Sequence, residues 1–265
     1  MPSTIYAYVN GKFVPETEAR VSIFDRGFLY GDGCFETMRV YHGRFFRALE
    51  HMDRLSEGLA ALGIVPALSP EELRAVCRVL IQHNAVDDGL ARVYVTRDSV
   101  SAICHPRQFL DREVKAMVST VRVDRQLSRY KTANRLPYLL AQREAEQAGA
   151  TEAILLNSDG HVVEGNTSNI FVVKDGRVVT PPLSDGPLPG IVRHAVVVLA
   201  RELGIPVEER SFGPEFFATA DEVFATNSLI EVAPVVPWGQ QRVVTTRLQQ
   251  AYRELVGSEL NTPGP

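Results

Sequence analysis

Three short segments of this 265-residue chain hold residue types that could do chemistry together. Lys131 stands in Ser-Arg-Tyr-Lys-Thr-Ala-Asn-Arg-Leu-Pro (residues 128–137), and Glu164 stands in Val-Val-Glu-Gly-Asn-Thr-Ser-Asn-Ile-Phe (162–171). Leu-Pro-Gly-Ile-Val-Arg (188–193) opens a predicted helix. An amine can form a Schiff base once its pKa is lowered by burial or by neighbouring positive charge, which Arg129 and Arg135 could supply. A carboxylate can pair with a protonated ring nitrogen. A glycine-led helix start offers free N–H groups and partial positive charge to a phosphate.

Each segment also has a plainer reading. Lys131 is either a Schiff-base amine or a surface charge. Glu164, at the end of the predicted strand with Val162 and Val163, either caps a turn or faces a cavity. Asn166, Thr167, Ser168 and Asn169 are either a polar turn or a shell that orients Glu164 and a ring. Pro189-Gly190 before Ile191 and Val192 is either ordinary punctuation or a phosphate cradle. Thr226-Asn227-Ser228, after another predicted strand, could add hydroxyl and backbone donors. Arg54, polar among apolar neighbours on a predicted helix, is a solvated position or a phosphate clamp. In combination, an amine, a carboxylate and a phosphate-binding helix start are the three grips that pyridoxal 5′-phosphate needs.

The elements that must position these residues are legible from turn and cap signals. Ile5–Val9, Asn10-Gly11 and Lys12–Val14 predict a hairpin. Cys34–Val40, His42-Gly43 and Arg44–Phe46 predict a second. Leu49, Met52, Leu55, Leu59 and Leu62 recur at helical spacing before Gly63. Ser69-Pro70-Glu71-Glu72 is a capping box that starts a helix burying Leu73, Val76, Cys77, Leu80 and Ile81. Strands are expected at Ala91–Arg97 and Val114–Val121, and a helix from about Pro137 to Gly149. Short strands follow at Ala153–Leu156, Val162–Gly165, Ile170–Val173 and Arg177–Thr180, with Ser-Asp-Gly and Lys-Asp-Gly turns. A helix from Gly190 to Gly204, strands at Val207–Arg210 and Glu222–Ala225, and a helix at Thr246–Val256 complete the chain. The expected class is α+β, with a smaller domain over residues 1–118, a polar connection at 119–129, and a larger domain over 130–265 whose strands partly close into a barrel.

Composition narrows the function. The chain is 45% apolar with a net charge of −4 and no basic stripe, so a nucleic-acid partner is not expected. Three widely spaced cysteines, Cys34, Cys77 and Cys104, give no metal pairing and fit a reducing compartment. No apolar run approaches the roughly 18 residues of a membrane helix, and no secretory leader pattern is present. A cytoplasmic protein without a metal is expected.

The wording of the motifs resembles the fold-type IV pyridoxal-phosphate enzymes, the class IV aminotransferase family. This group includes branched-chain and D-amino-acid aminotransferases, (R)-selective amine transaminases and aminodeoxychorismate lyase. The resemblance runs through Asp-Arg-Gly-Phe-Leu-Tyr-Gly-Asp-Gly (25–33), Cys-Phe-Glu-Thr-Met-Arg (34–39), Glu-His-Met-Asp-Arg-Leu (50–55) and the Lys131, Glu164 and Gly190 segments. It implies a small α/β N-terminal domain, a larger C-terminal domain with a barrel-like sheet, a cofactor between them, and a homodimer. It further implies that Lys131 is the internal-aldimine lysine and Glu164 the partner of the pyridine nitrogen. Arg54, Ile191, Val192 and Ser228 match the phosphate cup, and Gly190, Ser168, Asn169 and Asn227 are further candidates for holding the cofactor. Many relatives have threonine where Val192 stands, so a hydroxyl is lost and the backbone N–H kept. Tyr30, Phe35, Thr37 and Arg39 match the substrate strand.

The expected reaction moves an amino group between an amino acid or primary amine and a 2-oxo acid. The stretch after Lys131 lacks the tyrosine that branched-chain enzymes place there, and resembles the Asn-x-Leu wording of D-amino-acid enzymes and the lyase. Ile103 stands two before His105, so the Arg-x-His carboxylate clamp of D-amino-acid enzymes is absent. Arg26, Arg39 and Arg97 are the clamp candidates. The Gly-Cys-Phe-Glu-Thr run also resembles aminodeoxychorismate lyase, which would release pyruvate and 4-aminobenzoate. A pyridoxal-phosphate-binding protein without turnover is a third reading.

Overall fold

The computed structural model describes residues 4–109 and 113–261. The chain divides into two compact units. One comprises the described residues to Phe109 together with Tyr130–Asn134, and the other comprises 113–129 and Arg135–Asn261.

The first unit begins with the Asn-Gly hairpin, β1 (Tyr6–Val9) and β2 (Lys12–Pro15). Asn10 and Gly11 both take positive φ, as this two-residue turn requires. A five-residue helix α1 (Arg26–Tyr30) follows, with Asp25 accepting from Gly27 N–H at its start and Gly31 closing it at φ 70°. That left-handed angle explains the glycine. Next come β3 (Gly33–Tyr41), β4 (Arg44–Phe45), α2 (Ala48–Ala61), α3 (Pro70–His83), β5 (Gly89–Thr96) and β6 (Val100–Pro106). The capping box at Ser69 and Glu72 forms as its sequence predicts.

The six strands make one sheet in the order β2-β1-β6-β5-β3-β4. Along β3, alternate residues point to opposite faces. Cys34, Met38 and Val40 join Met52, Leu55 and Leu59 of α2 and Leu73, Cys77 and Leu80 of α3 in a buried core. Leu49, expected on the buried face of α2, is 55% exposed, because the inward stripe runs through His51, Met52 and Leu55 instead.

The second unit contains β7 (Val114–Arg122), α4 (Arg125–Ser128), α5 (Leu136–Gln147), β8 (Glu152–Leu156), β9 (Val162–Gly165), β10 (Asn169–Lys174) and β11 (Arg177–Thr180). It ends with α6 (Ile191–Glu202), β12 (Val207–Glu209), β13 (Glu222–Asn227), β14 (Glu231–Gly239) and α7 (Val243–Asn261). Its sheet order is β12-β11-β10-β13-β14-β7-β8-β9. β9, at the end of that order, returns against β10, with Gly165 N–H donating to Ser168 O at 2.7 Å, so the sheet curls into a partial barrel. The curled sheet encloses Ile154, Val162, Ile170, Val172, Val223, Ala225 and Val235.

Two strands escape the sequence patterns. β6 carries Val100, Ala102 and Cys104 inward but its intervening Ser, Ile and His blur the alternation. β14 contains Pro234 and Pro237, residues that ordinarily argue against an interior strand because they donate no ladder hydrogen bond. It nevertheless pairs with β13 on one side and, through Val235 and Val236, with β7 on the other.

Candidate active site

Each unit carries part of the chemistry. In the first, Lys131 lies beside the start of β3. Phe35 N–H donates to Lys131 O at 2.9 Å, Ala133 N–H donates to Gly33 O at 2.8 Å, and Cys34 and Thr132 form an isolated antiparallel bridge. Main-chain pairing thus fixes Lys131 through the backbone of the strand it serves. Its side chain is half-buried, with Nζ 4.8 Å from the Phe35 ring centroid.

The face of β3 that bears Phe35 also bears Thr37 and Arg39, and the register adds what stands opposite on β5: Tyr94, Arg92 and Leu90. Phe35 and Tyr94 stack at 5.3 Å. Arg92 Nε donates to Thr37 Oγ1 at 3.0 Å. The Arg39 guanidinium sits 3.7 Å from the Phe109 ring centroid and 4.6 Å from that of Tyr41. This face therefore presents two guanidinium groups, a hydroxyl and an aromatic pair alongside the lysine. Arg92 was not anticipated from the sequence. The available signal was an arginine alternating with buried Ala91 and Val93 in the middle of a strand.

The other two expected clamp residues go elsewhere. Arg26 Nε pairs with Asp32 at 2.8 Å and Arg97 Nε with the same carboxylate at 3.5 Å. Arg97 also donates to the Gly63 and Leu62 carbonyls. Hydrogen bonding and then the charge of Arg26 hold the Asp32 carboxyl below its ordinary range. Tyr30, on α1, is 66% exposed.

On the helix side of β3, Glu36 is fully buried and takes both ends of a guanidinium fork: Arg54 Nε to Oε1 at 2.7 Å and Arg54 Nη2 to Oε2 at 2.9 Å. His51 Nδ1 lies 2.8 Å from Oε2, so the neutral ring donates from Nδ1. Burial opposes ionisation of Glu36, but the charge of Arg54, with His51 beside it, outweighs burial and holds this carboxyl far below the usual carboxylate range. Burial pushes His51 down, against the pull of Glu36. Arg54 is thereby fixed rather than solvated. Cys34, next to this cluster, is pushed up to about 12 by burial and then by Glu36, so it remains a thiol.

In the second unit, Glu164 is buried on β9 with a donor on each oxygen. Tyr138 Oη lies 3.2 Å from Oε1, and Leu188 N–H donates to Oε2 at 2.9 Å. The following turn is held by Glu152, whose carboxylate accepts from Thr167 N–H, Thr167 Oγ1 and Ser168 Oγ, each at 2.8 Å. Asn169 Nδ2 donates to Leu188 O at 2.9 Å and Asn227 Nδ2 to Thr167 O at 3.0 Å. Asn169 thus ties the turn after Glu164 to the segment before α6, while Ser168 and Asn227 brace that turn against Glu152 and the end of β13.

The start of α6 has no side-chain cap among the described residues. A Cβ on Gly190 would sit 2.0 Å from Asn169 Oδ1, so any larger residue must displace the Asn169 amide. Behind it, Thr226 Oγ1 is buried with no hydrogen-bond partner among the described residues. An uncapped twelve-residue helix with Ile191 and Val192 in its first turn suits an anion. Ser228 follows β13 and is half-buried. The residues of the second unit fit a group that brings a phosphate and a cationic ring nitrogen, and Lys131 in the first fits one that brings a carbonyl carbon. Among the described residues, no cluster suits a metal ion and no helix is long and apolar enough to cross a membrane.

Residues 33–238 match the family model described as amino-transferase class IV. The chain is 39% identical to a provisionally named branched-chain-amino-acid aminotransferase of Methanocaldococcus jannaschii, covering 94% of this chain and 95% of that one. It is 31% identical to the aminodeoxychorismate lyase of Bacillus subtilis, covering 97% of each. Its fold superposes on the branched-chain aminotransferase of the thermophilic archaeon Thermoproteus uzoniensis, solved with norvaline, at a TM-score of 0.89, with 29% identity and coverage of 97% and 96%. The chain belongs to the class IV aminotransferases, fold-type IV enzymes that work with pyridoxal 5′-phosphate.

Proposed function

We propose that this chain moves an amino group between an amino acid, or a related primary amine, and a 2-oxo acid. The observation that carries this reading is Lys131 Nζ beside Phe35, on a strand face that also offers Thr37, Arg39 and Arg92. When bound, pyridoxal phosphate takes up an amine at its aldehyde carbon and draws electron density into its ring, which loosens a hydrogen on the carbon bearing the amine. Lys131 Nζ holds the cofactor between turnovers and, once displaced, accepts that proton and returns it. Glu164 keeps the ring nitrogen protonated. The N–H groups of Ile191 and Val192 take the phosphate, with Ser228 and the charge of Arg54 in support. Arg92 and Arg39 are the guanidinium groups for a substrate carboxylate, since both stand on the sheet face that bears Phe35, beside Lys131.

The likeness to the Bacillus subtilis lyase supports a second reading, elimination of pyruvate from aminodeoxychorismate. The two readings differ in one requirement. A transaminase turns over repeatedly only with a 2-oxo acid acceptor, and a lyase needs none. Purified enzyme with L-leucine, D-alanine or (R)-1-phenylethylamine should release carbonyl product beyond one equivalent only when 2-oxoglutarate or pyruvate is added. Sustained pyruvate release from aminodeoxychorismate, with no acceptor, would replace the first reading with the second.

We also infer a homodimer. Ile23, Phe24 and Phe28 are 67%, 79% and 67% exposed within six residues of chain, an apolar run that a monomer leaves in water. Sedimentation should give about twice the 29.3 kDa chain mass, and Phe24→Ser with Phe28→Ser should shift the protein towards monomer. A wild-type monomer at micromolar concentration would contradict the inference.

A further inference from the structure

Tyr138 stands in the first turn of α5, seven residues beyond Lys131, and is buried. Its hydroxyl meets Glu164 Oε1 at 3.2 Å. The Arg135 guanidinium lies 3.6 Å from the Tyr138 ring centroid and donates through Nη2 to Asn166 O at 2.7 Å. Burial, and then the charge of Glu164, push the phenol well above its ordinary range, so it stays protonated and is a permanent donor. The second oxygen of Glu164 takes its proton donor from a different part of the chain, Leu188 N–H. With the two oxygens tied to two separate segments, the carboxylate cannot rotate without breaking one bond.

We propose that Tyr138 is a positioning residue that acts through Glu164, fixing the carboxylate and holding it in its charged form against the ring nitrogen of the cofactor. The inference rests on the reading of Glu164 given above and goes beyond it. A hydrogen bond donated to a carboxylate favours the ionised state. Without that donor, Glu164 becomes the stronger base and draws the shared proton towards itself. The ring then loses positive charge and accepts electron density less readily. Tyr138 does this without touching the reacting atoms, and its neighbour Arg135 keeps the phenol ring in place from the other side.

The test is a double-mutant cycle with Tyr138→Phe, Glu164→Gln and the pair, each read as holoenzyme and as apoprotein. Phenylalanine keeps the ring that packs on Arg135. Tyr138→Phe should lower kcat about tenfold, the size expected for one hydrogen bond to a charged group, with KM for the 2-oxo acid unchanged. It should also move the pH midpoint of the visible cofactor band, while the apoprotein melting temperature and the dissociation constant for pyridoxal 5′-phosphate change little. In the Glu164→Gln background the same substitution should leave kcat and the midpoint where they were, because the residue it acts through is already altered.

Three results would overturn the proposal. One is a lowered melting temperature with wild-type kcat and midpoint, which marks a purely structural role. Another is an effect of Tyr138→Phe that simply multiplies that of Glu164→Gln, which marks independent action. A wild-type protein that takes up no pyridoxal 5′-phosphate would remove the proposal together with the reading of Glu164 beneath it.

Discussion

Lys131→Ala will fold with near wild-type stability and lose amino transfer by roughly two to four orders of magnitude, the range for removal of a positioned acid–base group. The separation of the two effects follows from how the residue is held. Its hydrogen-bonded link to β3 runs through main chain, Lys131 O to Phe35 N, and survives truncation of the side chain. The place of the side chain beside the Phe35 ring contributes about 0.5–1 kcal/mol. The amine is the only part of the residue that can bond to an aldehyde carbon or carry a proton. Borohydride treatment followed by mass spectrometry should show cofactor covalently retained on wild type and absent from the variant, while thermal unfolding of the apoproteins should nearly coincide. A variant that keeps a covalent cofactor, or keeps more than a few percent of the transfer rate, would move the chemistry to another amine.

The second large effect is on folding. Glu36→Gln should destabilise the protein by about 3–5 kcal/mol, because it leaves the Arg54 charge buried against a neutral amide and puts an NH2 donor where one of the two oxygens accepted from Arg54 and His51. That loss is a large fraction of a domain's whole stability of about 5–15 kcal/mol. Its pH dependence has a definite sign. The folded Glu36 carboxyl is held far below its unfolded value by Arg54 and His51, against burial. The stability it contributes is therefore present above the unfolded carboxylate pKa of about 4.3 and is lost as pH falls below it towards the depressed folded value. Wild type should lose stability along that acid limb, and Glu36→Gln should lose less. Replacing both partners, Glu36→Leu with Arg54→Met, should recover part of the stability, since it removes the buried Arg54 charge but leaves His51 Nδ1–H without its acceptor. The same double variant should bind pyridoxal 5′-phosphate more weakly than wild type if Arg54 supports the phosphate. Urea titrations across pH 3 to 8 measure the first effect, and cofactor titration measures the last. An unchanged unfolding midpoint for Glu36→Gln would contradict the fork as a structural element.

The sequence made these elements legible unevenly, for physical reasons. Asn10-Gly11 and Ser69-Pro70-Glu71-Glu72 act within a few residues of themselves, so hairpin and cap could be read directly. Lys131, Glu164 and Gly190 were recognisable because each stands in a distinctive local wording, and the fold class followed from the same resemblance. What stayed hidden depends on residues brought together from far along the chain. Arg92 meets Thr37 across a strand register, 55 residues apart. Glu36 and Arg54 meet between a strand and a helix, and the sequence reading weighed Arg54 as a solvated position or a phosphate clamp without seeing its carboxylate partner. Arg26 and Arg97 looked equivalent to Arg39 as candidate carboxylate clamps until Asp32 appeared between them.

Tyr138 shows the same limit from another side. That the stretch after Lys131 departs from the wording of branched-chain enzymes, with no tyrosine in the place they have one, was visible in the sequence. The tyrosine further along serves a different atom, the Glu164 carboxylate, 26 residues away in sequence. β14 was not predicted; Pro234 and Pro237 interrupt its valines, and the strand is held by neighbours on both sides. In each case the local pattern was read correctly for what local forces decide, and tertiary pairing decided the rest.

If this chain carries pyridoxal phosphate on Lys131 and uses it to take an amino group from a donor, a single half-reaction tests it most directly. The holoenzyme is mixed with an amino donor and no 2-oxo acid is present. With L-leucine, D-alanine or (R)-1-phenylethylamine, the visible cofactor band should disappear in proportion to enzyme and one equivalent of carbonyl product should form, with the cofactor left as pyridoxamine phosphate. Addition of a 2-oxo acid should then restore the band. A band that no amine alters, in an enzyme that releases pyruvate from aminodeoxychorismate over many turnovers, would contradict the account.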